Sequence, residues 1–128
     1  MNKTVYQIKE IVVKDYSRKE SRLLLTAKFT KNDVLDEITQ SYETTNPAGV
    51  VNDIILKIKS KDKIIVEDSD DILNNIYITR IENEDEIEER MLAFFSKLFD
   101  KIRSLRHETV AGRYLNTIDD IKHQKLVL

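Results

Sequence analysis

Apolar residues recur every three or four positions between residues 83 and 107, and this spacing predicts one long amphipathic helix. Acidic residues crowd its first turns and basic residues follow in its later turns, as the helix dipole favours. Asn83 and Glu86 have the spacing of a capping box at its start. Two apolar stripes run along this helix, the first formed by Ile87, Met91, Phe94, Leu98, Ile102 and Leu105, and the second by Leu92, Phe95 and Phe99.

The two stripes lead to different expectations. A sheet that covers the first stripe would make it part of the hydrophobic core. Together the stripes are wider than one face of a small sheet easily covers. The second stripe therefore either packs inside the monomer or contacts a partner, which could be a second copy in a homodimer. We take Leu92, Phe95 and Phe99 as the candidate partner-binding residues.

Two segments near the N-terminus, residues 5–14 and 23–29, carry the alternating pattern of strands and predict an antiparallel hairpin. The alternation slips near residues 11–13, where a β-bulge would restore a single apolar face. Thr30 and Asp33 then have capping-box spacing. The apolar residues that follow at helical steps predict a short helix, and they are Val34, Leu35, Ile38 and Tyr42.

A second helix is predicted to begin at Asn46 and Pro47, because asparagine caps free backbone amides and proline suits the first helical turn. Further strands are predicted at residues 63–67 and 75–81. The apolar face of this second helix consists of Val50, Val51, Ile54, Ile55 and Ile58.

These elements predict a single α+β domain over residues 1–128, with an antiparallel sheet of about four strands packed against two or three helices. The predicted order is β-β-α-α-β-β-α. The tail that follows, residues 108–128, has the apolar spacing of a shorter helix. Its last four residues could instead add to a sheet edge or dock on a partner.

The composition excludes several classes of site. The chain has no cysteine, so it forms neither disulfides nor thiolate metal sites, and it has only two glycines, too few for a glycine-rich phosphate loop. No apolar run approaches the ~20 residues that span a bilayer. Charged residues interrupt the N-terminal segment, which argues against a signal peptide. We therefore expect a cytoplasmic protein that does not contact a membrane.

The net charge of −2 is distributed unevenly. Residues 1–31 carry +5, residues 32–100 carry −10 and residues 101–128 carry +3. Basic side chains with interleaved tyrosines could hold a nucleic-acid backbone, although the sequence pI of about 5.7 is low for such a protein. The candidates for this alternative are Lys14, Tyr16, Arg18, Lys19 and Arg22 in the hairpin region 14–22, and Arg103, Arg106 and Arg113 in the region 103–113.

Candidate metal and catalytic groups are sparse. The acidic loop 67–71 lacks the glycine and glutamate of an EF-hand, because Leu73 and Thr79 occupy those two positions when counting starts at Asp68. Asp119 and His123 are four residues apart and could share one helix face, but no third ligand is evident. His107 suits the C-terminal end of the long helix without any chemistry. We assign no metal and no cofactor, and we favour a protein that is not an enzyme. A metal-dependent enzyme built on the acidic loop or on Asp119 and His123 is kept as a third possibility.

The favoured function is that of a small acidic protein-binding module, acting as a partner or assembly protein through an apolar helix face. Chaperone-like, immunity-like and phage-assembly-like roles all remain open. The alternative is an accessory protein that binds nucleic acid through the basic regions.

Overall fold

The computed structural model describes residues 2–61, 77–105 and 120–128. It confirms an α+β protein, in which a five-stranded sheet packs with two helices. The elements in chain order are β1 (Asn2–Ser17), β2 (Arg22–Lys31), β3 (Val34–Glu43), α1 (Pro47–Ser60), β4 (Tyr77–Ile81), α2 (Glu84–Leu105) and β5 (Lys125–Val127).

The strands lie in the order β3-β2-β1-β4, and β5 also pairs with β1. The sheet is therefore mixed, so the predicted wholly antiparallel arrangement is wrong, and the described residues form five strands where about four are predicted. β1 is sixteen residues long, so one of its edges holds two short strands. β4 pairs in parallel with residues 2–6, and β5 pairs antiparallel with residues 10–12. A strand that returns after a helix, as β4 does, can run parallel to its neighbour.

The predicted hairpin and its irregularity are both confirmed. β1 and β2 pair antiparallel, with register shifts between Ile8 and Glu10 and between Val13 and Asp15. These bulges flank the segment where the alternation slips. Each adds one residue to β1, and the apolar side chains consequently stay on one face of the sheet. The buried residues on that face of β1 are Tyr6, Ile8, Ile11, Val13 and Tyr16.

The short helix predicted after Thr30 is wrong, because this segment is the strand β3. Asn32 and Asp33 have φ values of 47° and 67°, which is the left-handed conformation of a two-residue hairpin turn. β3 then pairs with β2 from Val34 to Glu43 without a register shift. The observed order within the described ranges, β-β-β-α-β-α-β, differs from the predicted one for this reason.

Both long helices are confirmed. The side chain of Asn46 accepts a hydrogen bond from the Gly49 amide at 3.1 Å, and Pro47 opens α1 as expected. The carbonyl of Asn83 accepts from the Ile87 amide at 2.9 Å, so α2 begins where predicted. However, Asn83 has a φ of 55° and does not adopt the extended backbone of the predicted capping box.

The inner face of the sheet and the buried faces of both helices form one hydrophobic cluster. Neither helix of the described ranges is long and apolar enough to cross a membrane. The predicted strand at 63–67, the acidic loop 67–71 and the predicted helix in the tail before residue 120 lie outside the described residues. β5 shows that the end of the tail adds to the sheet edge, which was one of the two alternatives.

Candidate protein-binding surface

The second stripe of α2 is only partly available to a partner. Phe95 and Phe99 are buried in the core, and their ring centroids lie 6.1 Å apart. Leu92 is 39% exposed, and Phe94 of the first stripe is only partly buried. α2 contacts α1 as well as the cluster on the sheet, so both stripes find cover within one chain. A partner could reach Leu92, whereas contact with Phe95 or Phe99 would require the core to open.

The basic hairpin does not form the predicted patch with a stacking tyrosine. Tyr16 is 6% exposed and packs in the core, so its ring is not available to stack on a base. Arg22 donates from Nε to Ser41 Oγ at 2.9 Å and lies 3.6 Å from Glu43. The remaining hairpin candidates, Lys14, Arg18 and Lys19, are exposed.

Of the three arginines in the second basic region, 103–113, the structure describes only Arg103. Arg103 forms an ion pair with Asp100 on the same helix. Arg106 and Arg113 lie outside the described residues. The nucleic-acid alternative therefore retains three exposed cations near the turn between β1 and β2, without an aromatic side chain among the predicted residues that could stack on a base.

The predicted metal candidates find little support in the part of the chain that the structure describes. That part contains no group of three histidine or acidic side chains that could hold a metal ion. His123 is exposed and has a φ of 72° in the turn before β5. Asp119 and His107 lie outside the described residues, as does the acidic loop.

Apolar side chains are exposed where β2 and β3 form one side of the sheet. Val34 is 69% exposed and Leu35 is 78% exposed at the start of β3, and Leu24 of β2 is 38% exposed. Val34 lies on the helix-covered face, whereas Leu35 and Leu24 lie on the opposite face. Leu24 pairs with Ser41, at the other end of β3 from Leu35, so the three side chains do not form one patch, and single exposed apolar residues are common. Sequence analysis placed Val34 and Leu35 on a helix and missed that they are exposed strand residues.

β3 forms an end of the sheet, and no described strand pairs with its outer edge. The two-residue turn makes Lys31 and Val34 a hydrogen-bonded pair, and such pairs alternate along an antiparallel ladder. The backbone N–H and C=O groups of residues 35, 37, 39 and 41 therefore point away from β2. In agreement, the Glu37 amide donates to the side chain of Asp36 at 2.8 Å rather than to β2.

This edge lacks two common features that prevent strand addition. β3 contains neither proline nor lysine, and its ten residues pair with β2 without a bulge. Of its three acidic residues, Asp36 forms an ion pair with Lys61, which follows α1, with 2.9 Å between the ammonium and the carboxylate. The hydrogen bond from Lys61, together with one from the backbone amide of Glu37, lowers the pKa of Asp36. The edge is therefore regular along its whole length, and within residues 2–61, 77–105 and 120–128 no strand pairs with it.

Polar side chains of α1 contact the helix-covered face of β3. The hydroxyl of Tyr42 donates to Asp53 Oδ2 at 2.5 Å, and Lys57 lies 3.1 Å from the same oxygen. Burial, and then the Asp53 carboxylate, raise the pKa of Tyr42 far above its usual range. Burial acts to raise the pKa of Asp53, but the Tyr42 hydrogen bond and the Lys57 ammonium lower it overall. With Lys61, these side chains hold β3 against α1.

An open groove of about 310 Å³ lies between α2 and the segment that leads into β5. Its described lining consists of Phe94, Lys97, Leu98, Lys101 and Gln124. These side chains supply apolar surface and cations but no nucleophile and no acid–base pair. The groove consequently gives no reason to propose catalysis.

Comparison with protein-family models, with curated proteins and with solved structures gives no match to this chain. The outer edge of β3, with the exposed Val34 and Leu35 at its start, is therefore the candidate site on the basis of geometry alone.

Proposed function

We propose that this protein is a non-enzymatic protein-binding module that holds an extended segment of a protein partner along the outer edge of β3. The observation that supports this function is the regular ten-residue edge, whose outward backbone groups at residues 35, 37, 39 and 41 have no strand partner among the described residues. In strand addition, main-chain hydrogen bonds supply affinity and side chains on alternate positions supply specificity. This proposal replaces the helix stripe of α2 with a sheet edge as the main contact surface.

The side chains beside the edge favour a partner segment with alternating apolar residues. On the helix-covered face, an added strand would lie next to Val34, Ile38 and Tyr42 of β3. On the other face it would lie next to Leu35 at the start of β3, and next to Ser41 near its end, where the exposed Leu24 lies one strand further in. Apolar residues at alternate positions of the partner would therefore remove exposed apolar surface from water on both faces. The module would act in the cytoplasm as a partner or assembly protein.

A photo-crosslinking residue at Thr39 tests this function directly, because position 39 lies at the middle of the outer edge. The matched control carries the same residue at Leu56, which is exposed on the outer side of α1. After irradiation in the cells from which the gene comes, we expect protein adducts at position 39 well above those at position 56. Equal yields at the two positions, or no protein adduct at position 39, would contradict the proposal.

A further inference from the structure

We propose that the partner strand on the outer edge of β3 is β3 of a second copy of this chain, paired antiparallel about Ile38. This inference rests on the protein-binding function proposed above and names its partner. The two copies would share one continuous sheet, with the helices of both copies on the same side.

The requirement for two-fold symmetry leaves few registers. Facing side chains must lie on the same face of the sheet, so the two facing positions must both be odd or both be even. The outward backbone groups at residues 35, 37, 39 and 41 must also form the hydrogen-bonded pairs. A centre at Glu37 places this carboxylate opposite its own copy, and a centre at Gln40 places Glu37 opposite Glu43. Like charges that face each other across strands are destabilising, so these two registers are disfavoured.

The register centred at Ile38 matches the apolar positions of β3 to one another. Ile38 faces its own copy, and Val34 faces Tyr42 of the second copy. Val34, which is 69% exposed in one chain, would thereby gain an aromatic neighbour. A centre at Thr39 would instead place Ile38 opposite Gln40 and would lose both apolar pairs.

The same register also accounts for the exposed leucines on the other face of the sheet. Leu35 faces Ser41 of the second copy, and Ser41 pairs with Leu24 one strand further in. Because the serine side chain is short, Leu35 can reach across it towards Leu24. Two of the most exposed apolar side chains of β3 and one of β2 therefore become covered by a single symmetric contact.

Charges are compatible with this pairing. Asp36 faces Gln40, and Glu37 faces Thr39, so the acidic side chains in the middle of β3 do not face one another. At each end of the pair, Glu43 reaches Asp33 of the second copy, which belongs to the turn before β3 and not to the strand. Asp53 of α1 lies near Tyr42, and Lys61, which follows α1, lies near Asp36, so the two groups mark opposite halves of β3. The two-fold axis therefore brings Asp53 of one copy towards Lys61 of the other.

The backbone contribution follows from the same geometry. Residues 37 and 39 of the two copies form hydrogen-bonded pairs, as do residues 35 and 41, for about eight N–H···O bonds in total. The Glu37 amide would exchange its contact with Asp36 for a carbonyl of the second copy. A single strand pair is a small interface, so we expect a dimer that dissociates on dilution.

Disulfide trapping tests the register, because the chain has no cysteine of its own. In Ile38→Cys, the two introduced thiols would lie in a non-hydrogen-bonded pair with Cα atoms about 4.5 Å apart, a distance that permits a disulfide. The matched control is Gln40→Cys, on the same strand and face. In the proposed register its two thiols lie roughly 13 Å apart along the strands. We expect a disulfide-linked dimer to predominate for Ile38→Cys after mild oxidation and to stay minor for Gln40→Cys.

Sedimentation of the unmodified chain provides a second measurement that needs no core substitution. We expect its average mass to rise with concentration from 15.0 kDa towards twice that value. Thr39→Pro removes an outward N–H without removing a bond to β2, and it should keep the chain monomeric. Thr39→Val retains this N–H and loses only the hydroxyl contact with Thr26, so it should still dimerise.

The outcomes separate this inference from the function on which it rests. A chain that stays monomeric, or a dimer in which Ile38→Cys crosslinks no better than Gln40→Cys, overturns pairing of β3 with its own copy. If a different protein is then captured at position 39, protein binding by this edge still holds. If position 39 captures no protein and the chain is monomeric, both proposals fail.

Discussion

Replacing Phe95 by alanine removes a ring that has no exposed surface and lies in the core beneath α2. Truncation of a buried phenylalanine costs about 3–5 kcal/mol, and Phe95 also loses ring contacts with Phe94 and Phe99, at centroid distances of 5.2 and 6.1 Å. We expect a loss of about 4 kcal/mol, a large share of the 5–15 kcal/mol that is typical of small proteins. Leu92→Ala should cost about 1 kcal/mol or less, because Leu92 is partly exposed and alanine favours the helix.

Urea unfolding followed by circular dichroism measures both values, since the chain has no tryptophan for fluorescence. The slope of the unfolding free energy against urea should stay constant, so that a lower midpoint reports stability alone. Unfolding at two protein concentrations separates the stability of the chain from self-association. An equal cost for Leu92→Ala and Phe95→Ala would contradict the burial of Phe95 in the core. An unchanged midpoint for Phe95→Ala together with lost partner capture would contradict it too, because the second stripe would then be an interface.

Two further predictions concern the Tyr42 contact and the nucleic-acid alternative. Tyr42→Phe should cost about 1 kcal/mol at pH 7, because Asp53 loses its hydrogen bond. The pKa of Tyr42 is raised in the folded protein. Its hydroxyl therefore contributes fully to the free energy of unfolding below about pH 10, and this contribution declines at higher pH. Urea unfolding at pH 8 and pH 11 should show a smaller difference between variant and parent at the higher pH. The parent chain should not be retained on immobilised nucleic acid at low salt; salt-dependent retention that Arg18→Ala with Lys19→Ala abolishes would favour the alternative.

Local signals in the chain predicted several elements correctly. Asn46 and Pro47 begin α1 because the cap and the first turn depend on adjacent residues alone. The slip in the alternation of β1 indicated a bulge, because one face of the strand must stay apolar when the register shifts. α2 was equally clear from its length, its stripes and its charge gradient.

β3 was mistaken for a helix because apolar residues at positions 34, 35, 38 and 42 fit helical steps. Their pairing with β2 depends on the turn at Asn32 and Asp33, which both adopt left-handed backbone conformations. Asparagine and aspartate tolerate the left-handed conformation, and between two apolar runs they favour a hairpin turn. A helix has no free strand edge, so the predicted helix left the candidate site on β3 unrecognised.

Local sequence accounts for the segments with apolar faces, the starts of both helices and the strands of the first hairpin, because these properties depend on neighbouring residues. The exposure of each apolar side chain depends instead on how distant segments pack together. Phe95 and Phe99 are buried because α1, distant in sequence, packs beside α2. β4 and β5 share an edge of β1 because the folded chain brings remote segments to one long strand. Among the described strands, β3 has an unpaired outer edge because β1, β4 and β5 lie on the opposite side of β2, which no local pattern specifies.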